Sequence, residues 1–589
     1  MTAVVKARQS SADALDNIFR NLSKNDIKLH EQDKTEIEEW NKCKNDFFHF
    51  LNYVGLDTVG NKEFNYHNGQ ELLIRTLMTD HKVVCLKSRQ IGITTVIRAY
   101  AVWLALFNND YTIGIISKLA MDASTFIRKC INIIDDLPPF LRRKFAKKTE
   151  QQFILDNGSS AVASCVSASQ PENTLRSNPI AFLIIDEAAF VNKIKEAVSG
   201  LFPTTITIQK AAKASGIPYG VLVISTPNKT SGDGGWFFDM YKKALLNNGT
   251  NNDDPNVEEY KAVRLHWKDL RGVKIPNCPF DESYYNQMCA TFNYQEDMIA
   301  QEVDCVFLPA TKNGILTSNE IIEMGKHQIP PVNAIQTIGG EIQFFDDTIS
   351  ATKNNRRFVI GVDTATSNGH NTFSTVEVID YDTNEQVCEY IGKLNVYDYP
   401  TVIRQICREF GPNIYIIAER NTIGETVVET FMRDPEFSSR MHKTLIKDPK
   451  TGLVTRQYGG LETNPKTKPL YLEAVTEFFK ENLDKIHSEK TILQVTQTEI
   501  DGGRILTTPN DAIMVFAFIS YCKKNNLIRF PGYHGVYNAN TSINGNLGDM
   551  SEDEVLDYLF DRNSRAYDMA KLANSLKKTE SWMDKLNDD

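Results

Sequence analysis

The sequence predicts an α/β fold in more than one domain, and three observations predict it. From about residue 60 to 310, short β-branched runs alternate with stretches of helical periodicity, the pattern of a parallel sheet flanked by helices. A second alternating region starts at RRFVIGVDTA and runs to about 535. The chain is 589 residues long with 41% hydrophobic residues, too long for one core and apolar enough for two.

In chain order, residues 1–55 read as a polar, helix-prone segment. Residues 56–315 carry the strand candidates VVCL, TIGIIS, AFLIID and GVLVIS, each a short apolar run of the kind buried on both faces. Residues 316–356, with Pro330-Pro331 and IGGEIQFFDDTISATKNN, read as a linker or small subdomain. Residues 357–540 form the second alternating region. Residues 541–589 follow as an acidic tail, in which a Gly/Asn/Ser-rich joint precedes an amphipathic helix near Glu552.

Composition narrows the class of protein. No apolar run reaches the roughly 18–20 residues of a membrane span, and the N-terminus lacks the apolar core of a secretory signal. Ten cysteines without C-x-x-C pairs point to reduced thiols rather than disulfides or zinc. The net charge is −10, yet residues 541–589 hold 11 acidic and 6 basic residues and so carry −5 of it. Basic clusters occur elsewhere, in LRRKFAKK (Leu141–Lys148) and NPKTKP (Asn464–Pro469), so a nucleic-acid partner is permitted.

The stretch VVCLKSRQIGITTVIRAY, Val83 to Tyr100, is laid out as a phosphate-binding loop between a strand and a helix. Ile93 stands where the loop lysine belongs, and Lys87 lies at the loop entrance. An ammonium on a flexible stem can reach β/γ-phosphate oxygens from there, because point charge matters more than bidentate geometry. Ser88, Arg89, Gln90, Gly92, Thr94 and Thr95 complete the expected nucleotide contacts, with Thr94 as Mg²⁺ ligand and backbone N–H groups from about Thr95 facing the phosphates. Downstream, AFLIIDEAAF ends a strand in Asp186-Glu187: the first carboxylate suits Mg²⁺, the second suits polarising a water for in-line attack. GVLVISTPN ends another strand in Ser225-Thr226, hydroxyls placed to sense the γ-phosphate. Each element alone is an ordinary strand exit. The three in this order describe an ATPase of the additional-strand, catalytic-glutamate class.

A second set is made of acids. Asp363 ends the strand of RFVIGVDTA, Glu419 ends that of IYIIAERN, and Asp511 lies in the first turn of an apolar helix after Asn510. Three carboxylates from two strands and one helix are the ligand type that two Mg²⁺ or Mn²⁺ need to cleave a phosphodiester. Asp380 and Asp382 rank as alternative acids, and Lys466 and Lys468 as candidate DNA contacts whose bland reading is a solvated turn.

At this point the chain resembles the large terminase subunits of tailed bacteriophages, most of all the T4-like branch, over about 60–530. The resemblance rests on Gln70 in FNYHNGQELL, the SRQ-x-G-x-TT loop, Arg176 ahead of LIIDEAAF, ISTPN, Trp267 in VRLHWKDL, and the Asp strand, Glu strand with Asn421 and Gly424, and Asp helix. It implies a RecA-like ATPase domain joined to an RNase H-like nuclease domain, using ATP with Mg²⁺ at one site and Mg²⁺ or Mn²⁺ at the other. It implies that Gln70 contacts adenine, that Arg89 and Arg176 are candidate arginine fingers, and that Ser225-Thr226 couple hydrolysis to movement. The implied partners are double-stranded DNA, a portal protein, a small terminase subunit and further copies in a ring, with no membrane. The implied setting is the host cytoplasm, transiently the portal vertex of a prohead, and not the mature virion. The sequence departs from the family at the displaced Lys87, at Asn510 beside a single Asp511, and at Asn371, where relatives often carry an acid. Competing readings are a helicase-like repair ATPase with a nuclease, an RNase H-type nuclease or transposase-like enzyme, and a DNA-binding or assembly protein with a degenerate loop.

Overall fold

The computed structural model describes residues 27–55, 64–248, 259–274, 278–309, 313–364, 373–421, 423–447, 454–501, 504–506 and 510–530. The acidic tail and Asn371 lie outside the described residues. The chain divides into two compact units, 1–244 with 258–305, and 245–257 with 306–589.

The first unit is built on an eight-stranded sheet. Its strands are β1 (Lys82–Lys87), β2 (Thr112–Ser117), β3 (Phe145–Lys148), β4 (Gln152–Leu155), β5 (Ser160–Cys165), β6 (Phe182–Asp186), β7 (Gly220–Ser225) and β8 (Lys261–Leu265). Their order across the sheet is β3-β4-β5-β2-β6-β7-β1-β8. From β5 to β8 every pairing is parallel, and β3 and β4 add an antiparallel edge. Parallel strands covered on both faces must be apolar throughout, which is why Val83–Leu86 and Phe182–Ile185 are wholly buried. The helix Ile93–Phe107 is apolar around most of its circumference and contributes Val96, Ile97, Tyr100 and Leu104 to the core. Cys43, Phe47, Phe50 and Leu51 belong to that same core, so the N-terminal helical segment (Ile27–Asn45 and Phe47–Phe50) packs as part of this unit.

The second unit holds a mixed six-stranded sheet of β9 (Asn333–Thr337), β10 (Gly340–Phe344), β11 (Phe358–Asp363), β12 (Ser374–Asp380), β13 (Gln386–Gly392) and β14 (Ile414–Ala418). The order is β14-β11-β12-β13-β10-β9, with β11 and β14 parallel and the remaining neighbours antiparallel. One face carries Ile360, Val376 and Tyr390 against the helix Tyr399–Phe410. Across the other face, the helix Asp511–Lys524 packs on β11 and β12. Gly361 makes this approach close: a Cβ there would lie 2.5 Å from Val515 Cγ1. Two expectations are corrected. Within the segment expected as linker or subdomain, 333–344 forms the two outer strands of this sheet; its polar alternation is that of an edge strand open to solvent. The loop helix begins at Ile93 rather than Thr95.

Candidate functional sites

Strand register brings the first constellation together. Leu86 pairs with Ser225 and Ile224 with Asp186, so the ends of β1, β7 and β6 stand side by side. The loop after β1 turns through left-handed backbone at Gln90 (φ 57°) and Gly92 (φ 75°), the second of which caps the helix Ile93–Phe107. A cleft of about 370 Å³ opens here, lined by Arg89, Thr94, Arg98, Asp186, Glu187 and Glu302 among others.

Lys87 is 5% exposed, and its Nζ donates to Glu187 Oε1 at 3.0 Å. Burial pulls the Lys87 ammonium down, but Glu187 and Asp186 more than offset this, so it stays charged. Burial together with the neighbouring Glu187 pushes Asp186 up to about 6, while Lys87 opposes that rise. An acidic group under this strain fits a Mg²⁺ ion, with Thr94 lining the same cleft. Arg89 is engaged within the chain, Nη1 donating to Glu302 Oε2 at 2.8 Å. Ser88 is fully buried; its hydroxyl donates to the Val303 carbonyl at 2.6 Å and accepts from Trp267 N–H at 3.1 Å, so it braces the loop.

Gln70 is committed at both ends of its amide. Nε2 donates to the Gly92 carbonyl at 2.9 Å, and Oε1 accepts from His67 N–H at 3.1 Å. His67 Nδ1 accepts from the amides of Gly69 and Gln70, so the Nε2 that meets the Ile91 carbonyl at 2.8 Å carries the proton. Ser225 Oγ accepts from Ala189 N–H at 3.1 Å, tying β7 to the turn after Glu187, and Thr226 Oγ1 is buried without a hydrogen-bond partner. Arg176 is exposed and does not line the cleft. Sequence reasoning missed Arg98, Glu302 and His67. Arg98 had a signal, being four residues after Thr94 on the same helix.

In the second unit, Asp363, Glu419 and Asp511 gather at the end of β11. Asp363 and Glu419 are hydrogen-bonded to each other, and burial with repulsion from Glu419 and Asp511 raises Asp363 well above the ordinary carboxylate range. Burial pushes Asp511 up to about 7, and its Oδ2 is buried without a hydrogen-bond partner. Asn421 Nδ2 donates to Glu419 Oε2 while its Oδ1 accepts from Gly424 N–H, which orients the glutamate. A crowded, partly orphaned acid set fits divalent cations. Among the described residues, the group of three His, Cys, Asp or Glu ligand atoms lying within 4.8 Å of one another is Glu39, Cys43 and His49; the three acids are more widely spread. Asp380 pairs with Arg356 (2.6 Å) and Asp382 with Arg357, so both alternative acids are engaged in ion pairs.

Residues 84–322 match the family described as terminase large subunit, T4likevirus-type, N-terminal. Over that span, less than half of its length, the chain is similar to the terminase large-subunit family. Solved structures similar to this chain include the large terminase ATPase domain of Thermus phage P74-26, at 17% identity and TM-score 0.32, over 42% of this chain and 95% of that one. The HK97 bacteriophage large terminase is similar at 10% identity and TM-score 0.35, over 80% and 98%. The large terminase nuclease of thermophilic phage G20c with bound magnesium is similar at 14% identity and TM-score 0.26, over 36% and 97%. At these values the structural likenesses add nothing to the family match. No helix among the described residues is long and apolar enough to cross a membrane.

Proposed function

We propose that the chain is the ATP-driven motor and endonuclease of viral genome packaging, moving double-stranded DNA into a prohead and cutting it from a concatemer. The observation that carries this reading is the pair of buried Lys87 with half-buried Glu187 beside Asp186, at the ends of three adjacent parallel strands. Nucleotide phosphates offer Lys87 a denser anion than one carboxylate. The exchange releases Glu187 to orient and polarise a water for in-line attack. Thr94 and Asp186 would hold Mg²⁺, whose charge neutralises the phosphates. Ser225, bonded to the backbone just after Glu187, links the hydrolysis site to β7 and the segment that follows.

Asp363, Glu419 and Asp511 would hold Mg²⁺ or Mn²⁺, which supply an activated water and stabilise the leaving oxygen of a phosphodiester. Asn421 fixes the Glu419 carboxylate, and Asp511 would release its proton to solvent on holding a divalent cation. The partners of this activity are a portal protein, a small terminase subunit and further copies of the chain in a ring, in the host cytoplasm and transiently at the portal vertex. Gln70 near the base, Arg89 and Arg176 as fingers, and Lys466 and Lys468 on DNA belong to the same reading.

The test is ATP-dependent DNA uptake into purified proheads. The wild-type chain should package. Lys87→Ala should abolish uptake, whereas Asp363→Ala should package precut DNA and fail to cut. Strand separation by the chain without proheads, or uptake by Lys87→Ala at the wild-type rate, would overturn the reading.

A further inference from the structure

The phosphate loop has an apolar residue in its lysine position. Ile93 is buried in the first unit's core, 2% exposed, and cannot serve a ligand. Two other loop cations are held by carboxylates, Lys87 by Glu187 at 3.0 Å and Arg89 by Glu302 at 2.8 Å. Arg98 differs. It sits one turn beyond Thr94 on the helix Ile93–Phe107, a spacing that puts both side chains on one face. Both line the 370 Å³ cleft together with Asp186 and Glu187.

The Arg98 guanidinium is supported by an aromatic face, 5.3 Å from the Phe126 ring centroid, and its buried Nε has no hydrogen-bond partner. It also attracts the Asp186 carboxylate. A buried donor left unpaired is costly and is retained where a ligand supplies the missing acceptor. The anion that fits has several equivalent oxygens, lies within reach of Thr94 and Asp186, and benefits from a planar multi-donor cation rather than a point charge.

We propose that Arg98 is a nucleotide-contacting residue, donating in cis to an oxygen of the terminal phosphate of a bound nucleoside triphosphate and supplying the second cation that Ile93 does not. The proposal rests on the reading of this cleft as the ATP site. Because the contact is to the terminal phosphate, Arg98 discriminates triphosphate from diphosphate. Loss of the phosphate after hydrolysis leaves the guanidinium with Asp186 alone.

The experiment titrates the purified full-length chain and its Arg98→Gln and Arg98→Lys variants with Mg-ATPγS and with Mg-ADP, alongside thermal melts and steady-state ATP hydrolysis. Arg98→Gln should weaken ATPγS binding about 10- to 100-fold and ADP binding by less than about threefold. Arg98→Lys should recover part of the loss, since it keeps the charge without the fork. Equal weakening of both nucleotides with a lowered Tm would assign Arg98 to packing and overturn the proposal, as would unchanged ATPγS affinity. Should Arg98→Gln fail to fold, Arg98→Lys carries the same comparison of the two nucleotides. A wild-type chain that neither binds nor hydrolyses ATP sinks the site reading itself. A wild-type chain that does both, beside an indifferent Arg98→Gln, sinks only the role of Arg98.

Discussion

Replacing Lys87 by Ala removes one partner of the pair on which the ATPase reading depends. Breaking a fully buried ion pair costs about 3–5 kcal/mol, and an exposed pair contributes about 0–1. Here the lysine side chain is 6% exposed and the Glu187 side chain 35%, so the cost lies between, at about 2 kcal/mol. For a unit of this size, spanning 1–244 and 258–305, that corresponds to a fall in Tm of about 3 °C. The effect on turnover should be far larger, because an ammonium aimed at developing phosphate charge is worth about 10²–10³ in rate when removed. Asp186 should follow. Lys87 now restrains its rise to about 6, so the variant's Asp186 binds a proton still more readily and Mg²⁺ more weakly near neutral pH. Phosphate release at saturating Mg-ATP, measured well below the variant's melting point, separates the two effects. Turnover within a few-fold of wild type at that temperature would refute the relocated lysine. A variant that melts early yet hydrolyses normally would confine Lys87 to a structural role.

Two predictions concern the second unit. Gly361→Ala places a methyl 2.5 Å from Val515 Cγ1 and 2.8 Å from Ile519 Cδ1, an overpacking that costs about 1–3 kcal/mol and pushes away the helix that carries Asp511. DNA cleavage should fall at least tenfold with ATP hydrolysis unchanged, and equal loss of both would refute the placement. Asp511 binds its proton in the folded chain up to about 7, but only to about 3.9 unfolded, so its contribution to stability is present at low pH and is lost as pH rises through about 7. In EDTA, Asp511→Asn should flatten the fall in Tm between pH 5 and 8 and melt higher than wild type at pH 8. In the wild type, added Mg²⁺ should move the onset of cleavage to lower pH. A slope unchanged by the substitution would show that Asp511 does not titrate there.

The parts of the fold legible in sequence were those where one physical constraint dominates. Strands buried on both faces have no choice but to be apolar, so β1, β2, β6 and β7 stand out, and the polar residues that end them stand out with them. Asp363, which ends such a strand, and Glu419, which follows one, stand out for the same reason, whereas Asp511 opens an apolar helix. Residues 333–344 were not, because an edge strand half open to water carries the composition of a linker. Nor were contacts across long sequence separations. Nothing near Arg89 announces Glu302, and Ser88 looks like a phosphate ligand until Trp267 and Val303 arrive to occupy its hydroxyl. Arg98 had its helical spacing from Thr94 as a signal, but the fold is what brings that face beside Asp186.

The side-by-side register of β1, β7 and β6 makes the cleft a matter of chain length as much as of chemistry. Leu86, Ser225 and Asp186 meet because each strand reaches the same height after crossing the sheet. Deleting one residue inside β7 would change no functional group. It would draw Ser225 back one step and turn its hydroxyl to the opposite face of the sheet, away from Ala189. Such a lineage could vary freely in which apolar residues fill Val221–Ile224, yet could neither lengthen nor shorten that run.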